Sequence, residues 1–413
     1  MSIDLKMALR NIWRHPRRAI LTITAIAFAT VLLVFMLSWQ FGSYDTMINA
    51  AVKVHTGHLQ VQAAGYNEQQ DMRLVVSDPA AVSRILDGIP DVAAYTVRAT
   101  AFSLVSSRER TYGVAVRGID PAKEMHVTTL KQLIREGSYL STGDVDRALV
   151  GGLLAKNLRV GVGDDELVLL GQGRDGSIAA TVVQIAGIFS YGQDELDRNV
   201  IYIPLPYFQE VYSMRGAVHE VVALGNSLNA VPRIKRAVSA ELKTIEEGNK
   251  LVVLDWMELM PGLIQSIQMD LVSGLIFYII LIIVVAFSIL NTFLMVIFER
   301  TREFGVFMAM GTTPGRLTRL LLLESTGLTV MGVIIGIIAG SLVTWYFQIH
   351  GIVISGTSEM LRQYGLPERM YPQLSTLSIV IGAGLVLVIT LATALYPALK
   401  VRRLRPVEAM RAV

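Results

Sequence analysis

Four charged side chains, Glu299, Arg300, Arg302 and Glu303, fall within five residues between two long uncharged runs. At separations of three and four residues such groups pair along a helix surface or meet a charged partner; alone they do no covalent chemistry. Other chemical candidates are sparse. His55 and His58 are the one close pair among six histidines, and a metal site needs further ligands that the neighbouring sequence does not offer. Asp164, Asp165 and Glu166 follow Gly161 and Gly163 without the longer ligand spacing of a calcium loop, so they read as a solvated entry to a strand. The chain contains no G-x-S-x-G, no H-E-x-x-H and no G-x-x-x-x-G-K-S/T. Without the phosphate cradle and its lysine it cannot hydrolyse ATP by a P-loop. No catalytic residue, cofactor site or metal site is expected here, and ATP with its magnesium belongs to another subunit. With no cysteine, disulfides and thiolate metal sites are excluded as well.

The charged cluster is positioned by apolar elements. A chain of 413 residues that is 52% hydrophobic and only 17% charged is too apolar for an ordinary soluble enzyme. A spanning helix needs about 20 apolar residues. Four runs qualify: Ala19 to Tyr44, Leu271 to Phe298, Ser325 to Ser358, extended back to about Leu320, and Met370 to Leu399. The predicted fold class is therefore an integral membrane α-helical protein with four transmembrane helices and a large mixed α/β extracytoplasmic domain inserted between helices 1 and 2. Its segments are a cytoplasmic amphipathic helix (1–18), helix 1 (19–44), the inserted domain (45–268), helix 2 (269–298), a cytoplasmic elbow (299–319), helix 3 (320–347), an outer loop (348–371), helix 4 (372–399) and a cytoplasmic tail (400–413).

Lys and Arg resist translocation, and they cluster before the first run, in the elbow and in the tail. Both termini and the elbow are thus expected in the cytoplasm, with the inserted domain outside. Residues 42–270 hold 21 basic and 27 acidic residues, a net of −6, so the positive charge sits beside the bilayer and argues against nucleic acid. The first run has 26 uncharged residues and no good small-residue cleavage site after it, so it reads as a retained signal anchor. Residues 3–18 separate apolar from basic side chains as an interfacial helix or a plain basic anchor would, and Pro16 is expected to break them from helix 1.

Small residues mark close approaches between helices. Ala25 and Ala29 repeat at four in helix 1, and Gly332, Gly336 and Gly340 at four in helix 3, a pattern for tight packing either within the chain or between two copies. In the inserted region strands are expected at 58–62, 111–119, 166–170, 178–189 and 199–205. Residues 171–177 read as a hairpin turn, and helices start at Asp78 before Pro79 and at Val231 before Pro232. Asn291 and Glu324 read as structural hydrogen-bonding groups near the inner interface.

The stretch from Asn291 to Ser325 resembles the region after the second span in four-span ABC permeases of the MacB, FtsX and lipoprotein-releasing (Lol-type) family. The matching residues are Asn291, Glu299, Arg300, Glu303, Phe304, Gly305, Ala309, Gly311 and Glu324. Residues 148–170 and 182–205 resemble the outer domain of MacB-like and Lol-type permeases, and 396–411 their C-terminal end, so the resemblance covers nearly the whole chain. It implies a coupling helix, roughly Arg302 to Met310, that docks on a separate ABC ATPase subunit through Glu299, Arg300, Arg302, Glu303, Phe304, Gly305, Phe307, Met308, Ala309 and Gly311. It also implies a second permease copy or a sister permease, contact with membrane lipid, and a periplasmic carrier or adaptor protein. The setting would be the bacterial inner membrane. MacB carries an ATPase at its N-terminus whereas this chain begins almost at its first span, and FtsX-like proteins have a smaller outer domain. The layout is therefore most similar to Lol-type permeases, which extract lipoproteins. MacB-like efflux and FtsX-like regulation of an envelope enzyme are the alternatives, and a membrane-anchored enzyme is disfavoured by the empty catalytic inventory. Depth alone places Leu37, Phe41, Leu275 and Phe277 in an acyl-chain cavity between helices 1 and 2.

Overall fold

The computed structural model describes residues 16–108, 110–163, 165–245, 250–353 and 369–401, together with Met7, Arg10, Trp13 and Arg14. The expected N-terminal amphipathic helix, Asp164 and the basic tail beyond 401 lie wholly or mostly outside the described residues. Among the described residues four helices are long and apolar enough to cross a membrane. They are Pro16–Ala51, Pro261–Ala309, Pro314–His350 and Thr376–Val401. Three open on proline, whose missing amide costs nothing in a first turn. The described chain divides into two compact units, a helical one (16–44, 267–353 and 369–401) and an inserted one (45–266).

Within the helical unit the glycine stripe is an internal seam. A Cβ added at Gly332 would stand 2.8 Å from the Ile26 side chain, one at Gly336 2.5 Å from Thr30 and 2.8 Å from the Ala27 carbonyl, and one at Gly340 3.2 Å from the Val31 backbone. The third helix therefore rides on the first, at van der Waals contact with its backbone. The residues of the first helix that meet these glycines are Ile26, Ala27, Thr30, Val31 and Val34. Ala29 is buried in an apolar cluster to which all four helices contribute, among them Ile289 and Phe293 of the second, while Ala25 is half-buried. Gly382 of the fourth helix meets Val34, and Ser38 donates to Ser378 at 2.9 Å, so the first helix is the centre of this unit.

The inserted unit is built on a ten-stranded mixed sheet. Its strands are β1 (Leu59–Ala63), β2 (Val92–Ser106), β3 (Thr111–Ile119), β4 (Ile134–Gly137), β5 (Arg147–Gly151), β6 (Glu166–Gln172), β7 (Ile178–Phe189), β8 (Val200–Pro204), β9 (Glu220–Gly225) and β10 (Leu251–Asp255). The order is β10-β1-β9-β2-β3-β8-β5-β7-β4, with β6 pairing both β2 and β7. β2 is the spine: one edge pairs β3, and the other pairs β9 along its first half and β6 along its second. The five expected strands correspond to β1, β3, β6, β7 and β8. The 171–177 turn closes the β6–β7 hairpin, where Gly173 donates to the Ser177 carbonyl at 2.9 Å and Gly176 takes a φ of +87° that suits glycine. Asp78 caps the helix Pro79–Asp87 by accepting from the Ala81 amide at 3.0 Å, and Val231 opens the helix Val231–Leu242. A core around Phe189, with Tyr191 and Tyr202 edge-on to its ring and Ile119, Leu130 and Leu149 beside it, holds the β4–β5–β7–β8 end together.

Candidate functional site: the helical hairpin at Arg300

The charged cluster does not form a separate short helix. The second spanning helix runs unbroken for 49 residues to Ala309, roughly 74 Å at 1.5 Å per residue, so it extends well beyond a hydrocarbon core of about 30 Å. The coupling helix expected at Arg302 to Met310 is its last turns. The helix ends where Gly311 donates to the Met308 carbonyl and Thr312 to Phe307, both at 3.0 Å, with Gly311 at a φ of +94°. This Schellman closure needs a left-handed residue, which explains the glycine. Pro314 starts the third helix at once, giving a tight hairpin.

Arg300 is the hub of the hairpin. Its Nη1 donates to Glu324 at 3.1 and 3.3 Å and its Nε to Glu303 at 3.3 Å, with the Arg300 and Glu324 side chains only 9% and 13% exposed. The guanidinium also lies 5.4 Å from the Phe304 ring centroid, within cation–π range. Glu324 thus bonds as a structural group near the start of the third helix, whereas Asn291 is exposed. Such a pair fixes the register of the two helices, because removing either member strands a charge in a poorly hydrated place.

Phe304 and Met308, expected to enter a groove in a partner, are instead buried in the chain's own cluster with Ile297, Leu317, Leu321 and Val401, and Phe307 packs half-buried against it. Gly305 is buried as well. The apolar stripe of the amphipathic pattern is used internally, because the third and fourth helices supply the covering surface. Glu299, Arg302, Glu303, Ala309 and Gly311 are exposed. Between them stand two residues that the charge pattern did not single out, Val306 at 47% and Met310 at 68% exposed. Val306 lies four residues after Arg302, and Ala309 and Met310 lie three and four after Val306, so the four share one helix face, an apolar tip flanked by charge.

At the other end of the second helix the expected apolar cavity is replaced by a polar cluster. Gln40 Nε2 donates to the Tyr44 hydroxyl at 2.8 Å, Tyr44 donates to Asp270 Oδ2 at 2.6 Å, and the Tyr278 hydroxyl donates to Gln40 Oε1 at 2.8 Å. A Cβ at Gly274 would lie 2.7 Å from Gln40. The stripe that meets the first helix is therefore Asp270, Gly274 and Tyr278. Leu275 and Phe277 lie off it, 56% and 66% exposed; Leu37 is buried and Phe41 half-buried. Depth gave the level of these residues but not their azimuth, so the four do not converge. The signal that could have found the cluster is Asp270, an acid one residue before an apolar run and four before a glycine.

Residues 19–241 match the MacB-like periplasmic core domain, and residues 275–406 match the C-terminal region of FtsX-like permeases. The chain belongs to the MacB and FtsX family of ABC permeases. This permease is 24% identical to the lipoprotein-releasing system transmembrane protein LolC of Xylella fastidiosa over 405 residues, covering 94% of this chain and 92% of that one. It is 35% identical to the macrolide export ATP-binding/permease protein MacB of Chlorobaculum tepidum over 124 residues, 30% of this chain and 16% of that one. The crystal structure of the periplasmic region of MacB from Actinobacillus actinomycetemcomitans aligns with 52% of this chain and 94% of its own at 10% identity and a TM-score of 0.39. ABC permeases work with an ATPase, so membership implies such a partner, and with four apolar helices it makes this an inner-membrane protein.

Proposed function

We propose that this permease couples ATP hydrolysis by a separate ATPase subunit to extraction or export of a lipoprotein or another hydrophobic envelope substrate. The observation that carries the reading is the likeness to LolC, which spans nearly the whole of both chains rather than one module. ATP and magnesium belong to the ATPase, because this chain contains no P-loop sequence. The termini and the hairpin face the cytoplasm, following the Lys and Arg distribution, and the inserted domain is periplasmic.

The ATPase docks on the exposed hairpin tip. Arg302, Val306, Ala309 and Met310 contact it, while the Arg300–Glu324 pair and the Phe304–Met308 cluster behind them pass the displacement to the second and third helices. The uncovered face of the second helix, including Ile276, Ile280 and Phe287, meets lipid and a second permease copy or a sister permease. Separation of the first and second helices at the Tyr44–Asp270 contact admits the acyl chains, and a periplasmic carrier or adaptor protein receives the substrate. The test is reconstitution of this chain with its ATPase in liposomes carrying a fluorescent triacylated lipoprotein. Lipoprotein appearing on a soluble acceptor only when ATP is hydrolysed supports the reading. ATP hydrolysis that responds to soluble drugs or peptides and leaves the lipoprotein in the membrane contradicts it.

A further inference from the structure

One face of the inserted sheet changes from polar to apolar across its width. Direct cross-strand pairs set Gln62 of β1, Glu220 of β9 and Arg98 of β2 in one row. The same face of β2 continues through Thr100, opposite Arg117, and Phe102, opposite Ala115, to Leu104, opposite Leu170 of β6. Its polar end is a cavity of about 630 Å³ lined by Gln60, Gln62, Glu220, Thr100 and Arg117, with His55 beside them. Its apolar end is open: Phe102, Leu104, Val168, Leu170, Ile178 and Val182 are between 44% and 82% exposed. Phe102 belongs to both, at the cavity's edge.

Hydrogen bonding fixes what the cavity offers. The Thr56 carbonyl can only accept, so the Gln60 amide nitrogen donates to it at 2.7 Å. The Gln60 carbonyl oxygen is thereby turned to accept from Gln62 Nε2. Gln62 Oε1 is left as an acceptor that no donor among the described residues meets, on a residue 2% exposed. At the other corner Arg117 Nη2 lies 3.4 Å from His55 Nε2. A guanidinium only donates, so Nε2 accepts, and the proton of the neutral ring sits on Nδ1, which has no acceptor among the described residues. Arg98 is already neutralised by Glu124 at 2.7 and 3.0 Å. Among the described residues neither Glu220 nor Arg117 forms an ion pair. Two strands and two residues apart, their Cα atoms stand about 12 Å from each other on ordinary sheet spacing. The cavity thus has an accepting, anionic corner and a donating, cationic corner, beside an uncovered apolar strip.

We propose that this face binds a zwitterionic amphiphile. Its ammonium group lies between Gln62 Oε1 and Glu220, its anionic oxygens take Arg117 and the Nδ1–H of His55, and its alkyl chain runs over Phe102 and Leu104 toward Leu170 and Val182. A lipid with an ethanolamine phosphate head group has this chemistry. A free zwitterion has the head alone. The inference stands on the inserted domain and does not depend on which substrate the permease moves.

The test is calorimetric titration of the full chain in a non-ionic maltoside detergent, which offers the site neither an ammonium nor a phosphate. The probes are short-chain phosphatidylethanolamine, short-chain phosphatidylglycerol, and soluble phosphoethanolamine, ethanolamine and inorganic phosphate. The ethanolamine lipid should bind at least tenfold more tightly than the glycerol lipid. Phosphoethanolamine should bind more weakly than the lipid but more tightly than either of its halves. Glu220→Gln should remove the preference for the ethanolamine lipid, and Arg117→Met, which takes away a phosphate contact that both lipids share, should weaken both. Leu170→Asp should weaken the lipid at least tenfold and leave phosphoethanolamine unchanged, with thermal melting confirming that each variant is folded. Equal binding of the two lipids, a preference that survives Glu220→Gln, or unchanged binding of both lipids by Arg117→Met overturns the head-group site. Phosphoethanolamine binding as tightly as the lipid overturns the apolar strip as part of it.

Discussion

The second and third spanning helices are both strongly apolar, yet they are used in opposite ways. In the most apolar stretch of the third helix 33% of the residues are buried, against 6% for the second. The third carries Gly332, Gly336 and Gly340 toward the first helix, and backbone contact there supplies dispersion along a whole face. The second touches the first mainly through the polar Asp270, Gly274 and Tyr278 stripe and the apolar contacts of Ile289 and Phe293, and it leaves Ile276, Phe277, Ile280, Val284 and Phe287 uncovered. In lipid, apolar surface alone does not draw helices together, so shape and polar groups decide which contacts are permanent. A glycine ladder makes a fixed seam. Branched side chains with polar pins at the ends leave a helix available to partners and to motion.

The largest expected effect is at the Arg300–Glu324 pin. Arg300→Ala should cost about 3–5 kcal/mol, because Glu324 is left charged and poorly hydrated, and adding Glu324→Leu should restore most of it. Thermal melting of the detergent-solubilised chain measures both. A double variant no better than the single would mean that the pair is not what joins the hairpin.

Melting against pH separates the inserted domain from the helices. His219 accepts from the Thr100 amide at 3.0 Å through Nδ1, and its Nε2 lies 3.3 Å from the Met72 carbonyl, the arrangement of a neutral ring. Burial pushes its pKa down from 6.5 to about 4, with Arg174 acting the same way and the Met72 carbonyl and Asp71 opposing. A base held neutral in the fold contributes stability that is fully present above the unfolded value. That contribution, about 3 kcal/mol, should be lost as pH falls from 6.5 toward 4. His219→Gln should flatten this slope and leave helix variants unaffected.

Gly336→Leu should cost about 1–3 kcal/mol or more by forcing the first and third helices apart. The same size change at an uncovered position of the second helix, Val284→Leu, should leave the melt unchanged. Equal effects would erase the contrast between the helices. Tyr44→Phe, which removes one donor from Asp270, should cost about 1 kcal/mol. Its clearer signature is a longer spin-label distance between the first and second helices at the level of Tyr44 and Asp270. The smallest effect on stability, near zero, is expected for Ile280→Ala with Phe287→Ala, which should nonetheless weaken association of permease copies in single-molecule photobleaching.

The parts of the fold set by local chemistry could be read from sequence. Uncharged run length gave the four helices, and turn residues such as Gly173 and Gly176 gave the β6–β7 hairpin. β2 was missed because its alternation is diluted by Ala93, Ala94, Ala99 and Ala101 and interrupted by Arg98, whose partner Glu124 is distant in sequence. The charged cluster marked the hairpin but not its outward face. Phe304 and Met308 carry the same amphipathic pattern whether a partner or the chain's own Leu317 and Leu321 covers them. Only the third dimension separates them from Val306 and Met310. The Gln60–Gln62 relay was invisible for a similar reason, since two glutamines in a strand carry no motif until the Thr56 carbonyl fixes which atoms remain free.

The most direct test is the ATP hydrolysis rate of the permease purified with its ATPase in nanodiscs, comparing the natural chain with Met310→Glu and Val306→Glu. If the hairpin tip is where energy enters, both variants melt at the natural temperature and lose ATPase retention or stimulation at least tenfold. Full stimulation by both folded variants would contradict docking at this hairpin.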